Sequence, residues 1–341
     1  MALYFFTGFE GCSNSMSVNQ LLDDSHHTSI IYNSSNGYNS SKCLGGYSGF
    51  AVDKNLPSGL KTVCAGFHKR NNRHMDQQTE NYYYLNTFRF IVAGSTPIFV
   101  QCYTTGWKAF RGTYSTLLGS SLNTGYLYDS NSINHFECKL FSNASTGYIQ
   151  VKVNGSVVLN LTGINTDGGD ITKVMWCSSG TGSSFYMDNL YVADDFQGEL
   201  YSQVLYPNAD GDVNQFTPST GVDNYAMVDE ASIDNDVTIL ESNNVGDKEL
   251  FGYQPLTLNN NTIKGVTLVT YARKTSGVAR SLQHMSKQDS VERNHDSKSL
   301  NLEWIDGHGY ALIDTFGLCP DDTSWTVSKL NAIQWGFILN G

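Results

Sequence analysis

The chain has 341 residues, of which 40% are apolar and only 16% charged, and its formal net charge is −11. A length of that order suggests two domains of roughly 150 residues each. The acidic balance excludes a nucleic-acid reader, which needs clustered Lys and Arg. The local basic groups, Lys69, Arg70 and Arg73, and the stretch from Arg273 to Lys298 with Asp289, Glu292 and Asp296 interleaved, read as solvated loops.

Residues 1–10 (MALYFFTGFE) carry no basic start and no long apolar run, so no signal peptide is expected. No run reaches the about 18 apolar residues of a membrane helix, so no membrane insertion is expected either. Residues 17–24 (SVNQLLDD) suit one or two helical turns after a Ser cap. Residues 87–103 predict two strands around Gly94, Ser95, Thr96 and Pro97, and residues 147–161 (GYIQVKVNGSVVLNL) predict a hairpin. Its register follows from parity. A two-residue turn at Asn154 and Gly155 would set Val151 against Val158 and Ile149 against Asn160, mixing the apolar and polar faces. A three-residue loop of Val153, Asn154 and Gly155 pairs Val151 with Val157 and Ile149 with Leu159, with Gly155 in the left-handed position. The three-residue loop is therefore expected.

The strand Phe185–Val192 runs into Asp194 and Asp195, and a domain boundary is expected within 194–202. It separates residues 1–195 from residues 200–341. Beyond it, strands are expected at 263–272, 309–316 and 332–339, and Thr326 opens a short helix to residue 332. Residues 276–298 show no periodicity and read as a long polar loop. Short strands with few helices make the chain all-β, with two β-sandwich or jelly-roll domains in tandem. Seven cysteines without any Cys-x-x-Cys spacing read as small buried thiols, and the odd count leaves at least one unpaired within the chain.

Patterns of catalysis are absent from the sequence. No Gly-x-Ser-x-Gly elbow, no P-loop and no Glu-x-Asp-x-x-Glu run of the kind that jelly-roll glucanases carry on one strand occurs. Asp229 and Glu230 are adjacent, so on a strand they would face opposite sides. A non-enzyme is therefore expected, without an organic cofactor. Asn208, Asp210, Asp212 and Asn214 alternate oxygen ligands in a Gly-containing loop and form a Ca²⁺ candidate, beside the plainer reading of a polar turn with Asx hydrogen bonds. Asp234, Asn235 and Asp236 are a similar case. Cys64, His68 and His74 lack a fourth ligand for a soft metal. Tyr82, Tyr83, Tyr84 and Trp107 are the glycan-binding candidates, since aromatic rings stack on sugars; strands also use Tyr simply to pack.

Residues 1–195 resemble a concanavalin A-like (laminin-G-like) jelly roll. The resemblance is carried by Phe9-Glu10-Gly11 after an aromatic strand, by the hairpin from Val151 to Gly155 and by YMDNLYVADD at 186–195. The metal ligands of the legume lectins have no counterpart, so sugar binding is not implied. Residues 200–341 resemble the second half of a class of tailed-phage virion proteins of minor-tail or decoration type. The matching pieces are VLYPNADGDVNQFTPSTG (204–221), NYAMVDEASIDND (224–236), VGDKELFGY (245–253), IKGVTLVTYARKT (263–275) and SWTVSKLNAIQWGF (324–337), in that order. The resemblance implies a non-catalytic part of a phage particle, assembled in the host cytoplasm, with other virion proteins and further copies of itself as partners. A place on the tail, neck or tail tip is expected first. Head decoration, or recognition of a host surface glycan, are the alternatives.

Overall fold

The computed structural model describes residues 2–9, 22, 24–25, 31–33, 43–46, 50–71, 85–94, 97–103, 105–112, 116–122, 133–178, 185–221, 223–231, 236–257, 262–300 and 310–341. The protein is all-β: nearly every element is an antiparallel strand. The described residues up to Ser202 form one compact unit and those from Gln203 onward form another. Among the described residues, no helix is long and apolar enough to cross a membrane.

The first unit is a sandwich of two sheets. One sheet runs, in spatial order, Ser156–Ile164, Gly147–Val153, Ile133–Phe141, Thr62–Asn71, Phe185–Ala193, Cys43–Gly46 and Ile31–Asn33, with Leu3–Thr7 paired to the far half of Phe185–Ala193. The other runs Thr116–Ser121, Gly106–Arg111, Ile98–Tyr103, Leu85–Val92, Ile171–Ser178, Phe50–Asn55 and Asp24–Ser25. The period of two along each strand aims alternate residues into the space between the sheets. From the first sheet these are Val63, Ala65 and Phe67, then Phe136, Cys138 and Leu140, then Ile149, Val151 and Val153, all buried. They meet aromatic residues of the second sheet: Phe67 and Phe88 pack edge to face at 5.4 Å, and Phe136 lies 6.0 Å from Trp107.

The hairpin at 147–164 corrects the expected loop. Val153 pairs directly with Ser156, so Asn154 and Gly155 alone form the turn, with φ of 48° and 78°. That is the left-handed pair a two-residue hairpin turn requires. Asn154 also accepts the His135 backbone N–H on its side-chain oxygen at 2.8 Å. The parity argument is still met, by a bulge. The register shifts between Val151 and Lys152, so Lys152 faces Val157 while Val151 faces Leu159 and Ile149 faces Leu161. The extra residue lies in the strand instead of in the loop.

The second unit has a five-stranded sheet in the order Pro207–Asn214, Lys248–Tyr253, Gln334–Asn340, Ser281–Gln288 and Val291–Ser299. A two-stranded ribbon, Val266–Ala272 with Tyr310–Phe316, covers it. Phe251, Leu282, Leu312, Phe337 and Leu339 form one core cluster between them, and Leu268, Cys319, Trp325, Ile333 and Trp335 a second. Thr326 caps the helix Val327–Ala332 by accepting the Lys329 N–H on its hydroxyl, as its sequence position suggests.

Residues 276–298 are not a loop. Ser281–Gln288 and Val291–Ser299 form a hairpin, turned at Asp289 and Ser290 with φ of 48° and 70°. The outer strand, VERNHDSKS, lies at the sheet edge and is largely exposed, so it shows no apolar alternation to read. The basic cluster at Lys69 and Arg70 is likewise in a strand, and Lys69 is buried.

Candidate functional site

Titratable groups gather on the outer face of the first sheet. Alternation places Cys64, Gly66 and His68 on that face of Thr62–Asn71, and His135, Glu137 and Lys139 on that face of Ile133–Phe141. The register pairs His68 with His135, Gly66 with Glu137 and Cys64 with Lys139. Tyr191, from Phe185–Ala193, lies opposite Gly66 on its other side. A side chain at Gly66 would occupy the space of the Tyr191 ring, 2.2 Å from an added Cβ. Glycine thus lets the ring cross the strand and bring its hydroxyl to the Glu137 carboxylate, to which it donates.

This face is not open to solvent. The segment leaving the last strand folds over it, and Leu3, Leu200 and Phe196 pack around Tyr191 and Cys64. Glu137 Oε1 accepts the backbone N–H of Gln197 at 3.1 Å and of Gly198 at 2.9 Å. Asp195 accepts from Lys139 Nζ at 2.8 Å, and Lys152 Nζ sits 3.8 Å from the Phe196 ring centre. One buried carboxylate, 1% exposed, therefore pins the exit segment of the unit to the sheet. Burial, with Cys64 and Glu137 nearby, pushes the Tyr191 hydroxyl well above its ordinary value, so it stays protonated and remains the donor.

Two buried histidines complete the cluster. The His68 and His135 rings lie 4.8 Å apart, and His135 Nδ1 is 3.9 Å from Glu137 Oε2. Asn189 Nδ2 lies 3.3 Å from His68 Nδ1. Asn189 has φ of 51°, where the register shifts between Asp188 and Tyr191. Burial, with His135 adding to it, drives His68 down to about 3. Burial also lowers His135, outweighing the opposing pull of Glu137 and Glu199.

The sign of the pH dependence follows. With folded values below the ordinary 6.5, the unfolded chain binds more protons as the medium becomes acid, so stability falls as pH drops below 6.5. The melting temperature of the first unit is expected to decline between about pH 7 and about pH 5, and to decline less in His68→Leu. Parallel profiles for the two proteins would refute this assignment.

The residues singled out from sequence are dispersed. Trp107 is 1% exposed and sits between the sheets against Phe136, so it is no stacking platform for a sugar. It belongs to the strand Gly106–Arg111, whose alternation turns it inward. Tyr82, Tyr83, Tyr84, His74, Asp234 and Asn235 lie outside the described residues. Asp236 pairs with Arg273 at 2.8 Å. Asp229 is exposed, and Glu230 accepts from the Thr238 hydroxyl.

Asn208, Asp210, Asp212 and Asn214 form a strand, not a loop, and Asp210, Asp212 and Asn214 bond to their own chain. Asp210 accepts the Tyr225 N–H at 2.7 Å. Asp212 accepts from Lys287 Nζ at 2.7 Å and Gln334 Nε2 at 3.1 Å. Asn214, with its amide turned to suit both neighbours, donates to Glu249 Oε1 at 3.0 Å. Among the described residues, no three His, Cys, Asp or Glu are grouped to hold a metal ion. Cys64, Cys102, Cys138 and Cys319 are free thiols, and they and Cys43 are buried.

The second unit carries two buried networks that sequence reading missed. Glu249, fully buried, accepts the backbone N–H groups of Gln215 and Phe216 at 3.0 Å each and Asn224 Nδ2 at 2.9 Å. Burial pushes this carboxyl up, against the pull of those bonds. Between sheet and ribbon, His284 Nδ1 lies 2.5 Å from Asp314 Oδ2 and His284 Nε2 2.9 Å from Thr270 Oγ1. Lys298 Nζ donates to Asp314 Oδ1 at 2.6 Å. Beside it, Ser286 Oγ and His295 Nε2 are 3.1 Å apart.

No protein-family model and no curated protein matches the chain. Solved structures similar to part of it include a cellulose-induced protein, at 11% identity and a TM-score of 0.38, covering 50% of this chain and 87% of that one. A carbohydrate esterase from a Shiga toxin-encoding bacteriophage is similar at 11% identity and a TM-score of 0.39, covering 56% and 97%. Domain 4 of an extracellular arabinanase from Geobacillus stearothermophilus, solved with arabinotriose, is similar at 11% identity and a TM-score of 0.37, covering 56% and 91%. Likenesses this distant assign neither a ligand nor a reaction to this chain.

Proposed function

We propose that the protein is a non-catalytic structural component of a tailed-phage particle, seated at the tail, neck or tail tip and packing against other virion subunits. The observation that carries this reading is the ordered series of five sequence pieces in the second half of the chain. Those pieces are the framework of the second unit. Glu249 of the VGDKELFGY piece bonds Asn224 of NYAMVDEASIDND and the backbone of Gln215 and Phe216 of VLYPNADGDVNQFTPSTG. One buried carboxylate thus ties three of the five together, a reason for them to occur as a set. The disposition of the titratable clusters also supports a static role. His68, His135, Glu137 and His284 are each at most 2% exposed and bond within the fold. Catalysis instead requires groups within reach of a substrate.

The test is mass spectrometry of purified particles, followed by immunogold labelling with antibody against the chain. Peptides in the particle and gold on the tail, neck or tip are expected. Gold spread over the head would replace the tail assignment with a decoration role. Absence from the particle would overturn the reading altogether. The glycan alternative loses Trp107 as a contact and rests on Tyr82, Tyr83 and Tyr84.

A further inference from the structure

The tip of the hairpin formed by Gly147–Val153 and Ser156–Ile164 is Asn154 followed by Gly155, both exposed. The two-residue turn calls for that pair, since both positions need a positive φ and have it, at 48° and 78°. The same pair is also a reactive one. Glycine has no Cβ to shield its backbone nitrogen, so that nitrogen can close on the side-chain carbonyl carbon of the asparagine before it. An added Cβ at Gly155 would meet nothing within 4 Å, so the tip is open to water as well.

The fold ties this side chain down. Val153 pairs with Phe136, which sets Asn154 beside His135 of the neighbouring strand Ile133–Phe141. Both ends of the Asn154 amide are turned to that strand. Oδ1 accepts the His135 backbone N–H at 2.8 Å, and Nδ2 donates to Asn134 Oδ1 at 2.8 Å. The Asn154 N–H in turn donates to the His135 carbonyl at 2.8 Å. A side chain held at both ends must break these bonds before it swings toward the Gly155 nitrogen. Giving up the two side-chain bonds slows the step roughly thirtyfold, at the usual net strength of a hydrogen bond.

We propose that Asn154 is a self-modifying site that the native hairpin keeps closed. When the tip leaves the neighbouring strand, a local opening of the usual kind, the Gly155 nitrogen bonds to Asn154 Cγ. The Cγ–Nδ2 bond breaks, and ammonia leaves with the proton of the Gly155 amide. A cyclic imide remains. Water then adds to one of its two carbonyl carbons and breaks that carbon's bond to nitrogen, leaving aspartate or isoaspartate at 154. The net change is one water taken up and one ammonia released, with no oxidant or metal. Neither product rebuilds the tip. Both lose the donor to Asn134, and isoaspartate lengthens the main chain by a carbon inside a two-residue turn. The change is therefore a one-way mark of hairpin opening, beside the strand that carries His135 and Glu137. The inference rests on the first unit's hairpin and is independent of the proposed place in a particle.

Peptide mapping by mass spectrometry over a time course in mildly alkaline buffer tests it. Conversion at Asn154 is read separately from the other Asn-Gly pairs, at Asn36 and Asn340. The full chain unfolded in guanidinium chloride is expected to convert at Asn154 roughly thirtyfold faster than the native chain. Asn134→Ala removes the acceptor of Nδ2, so native conversion should rise about fivefold. Asn134→Asp keeps an oxygen there and should convert no faster than the wild type. Conversion at Asn340, in the second unit, should be the same in wild type and Asn134→Ala, which separates a loosened tip from a loosened chain. If Asn134→Ala does not fold, the ratio of unfolded to native rates decides alone. Equal rates in native and unfolded chains would overturn the proposal, as would absence of product at Asn154 in the unfolded chain. So would a folded Asn134→Ala variant that converts no faster than the wild type, or one in which Asn340 speeds up equally.

Discussion

Replacing Glu137 with Leu is expected to destabilise the first unit by about 3–5 kcal/mol, the usual cost of removing one partner from a buried charged network. The carboxylate holds the Tyr191 hydroxyl and the Gln197 and Gly198 N–H groups together. Leucine would leave the buried Tyr191 hydroxyl and the half-buried Gln197 and Gly198 N–H groups without that acceptor, and an orphaned buried donor loses its full desolvation energy. Glu137→Gln keeps one carbonyl oxygen in place and should lose about half as much, because a neutral acceptor bonds roughly half as strongly as a charged one. Denaturant unfolding should be followed through Trp107 and Trp176, both buried in the first unit, because two compact units need not unfold together. Hydrogen exchange supplies the local readout, with the amides of Gln197 and Gly198 expected to exchange faster in Glu137→Leu. Unchanged exchange there, with a stability loss under about 1 kcal/mol, would show that the exit segment is held by its apolar contacts alone.

In the second unit, Asp314→Ala is expected to cost about 2–4 kcal/mol. The figure is below that for a fully buried pair because Lys298 is 30% exposed and screening discounts its share. Asp314 bridges His284 and Lys298, and through His284 the link reaches Thr270. Burial pushes the Asp314 carboxyl up, but the bonds from His284 and Lys298 together hold it below the ordinary 3.8. A depressed carboxylate stabilises the fold above its unfolded value, and that contribution is lost as pH falls through the folded one. The wild-type advantage over Asp314→Ala should therefore be full at neutral pH and vanish below 3.8. The double variant His284→Leu with Asp314→Leu should lose less than the sum of the two single changes, since it removes both members of the pair. Strict additivity would mean that the two side chains do not depend on each other.

Much of the fold was legible because burial leaves a period. In GYIQVKV the apolar residues alternate, and Ile149, Val151 and Val153 are the buried ones. The Thr326 cap was equally legible, since capping chemistry is local. The edge strand Val291–Ser299 was not, because its half-buried positions are Arg293, His295 and Lys298 and leave no apolar period. At the 147–164 hairpin the parity rule held, but two devices satisfy it. A three-residue loop and a two-residue turn with a bulge serve equally in the sequence, and the contacts of Asn154 with His135 accompany the second.

The polar cluster was the least legible. In INHFECKLF, residues His135, Glu137 and Lys139 alternate with Phe136, Cys138 and Leu140, which reads as an ordinary strand with one wet face. Nothing in that string tells that the face is covered. The cover comes from Phe196 and Leu200, roughly 60 residues later in the chain. Trp107 is the converse. Its ring looked available in sequence, and only the facing sheet with Phe136 shows where it goes.

By itself, then, the sequence determined the all-β class, several of the strands, the short capped helix and the inward residues of each well-alternating strand, because propensity and period act over a few neighbouring residues. Tertiary structure alone decided which polar faces are buried, where the bulges fall, and that Glu137, Glu249 and His284 are keystones of their networks. Those outcomes depend on contacts between segments far apart in the chain, which no local pattern encodes.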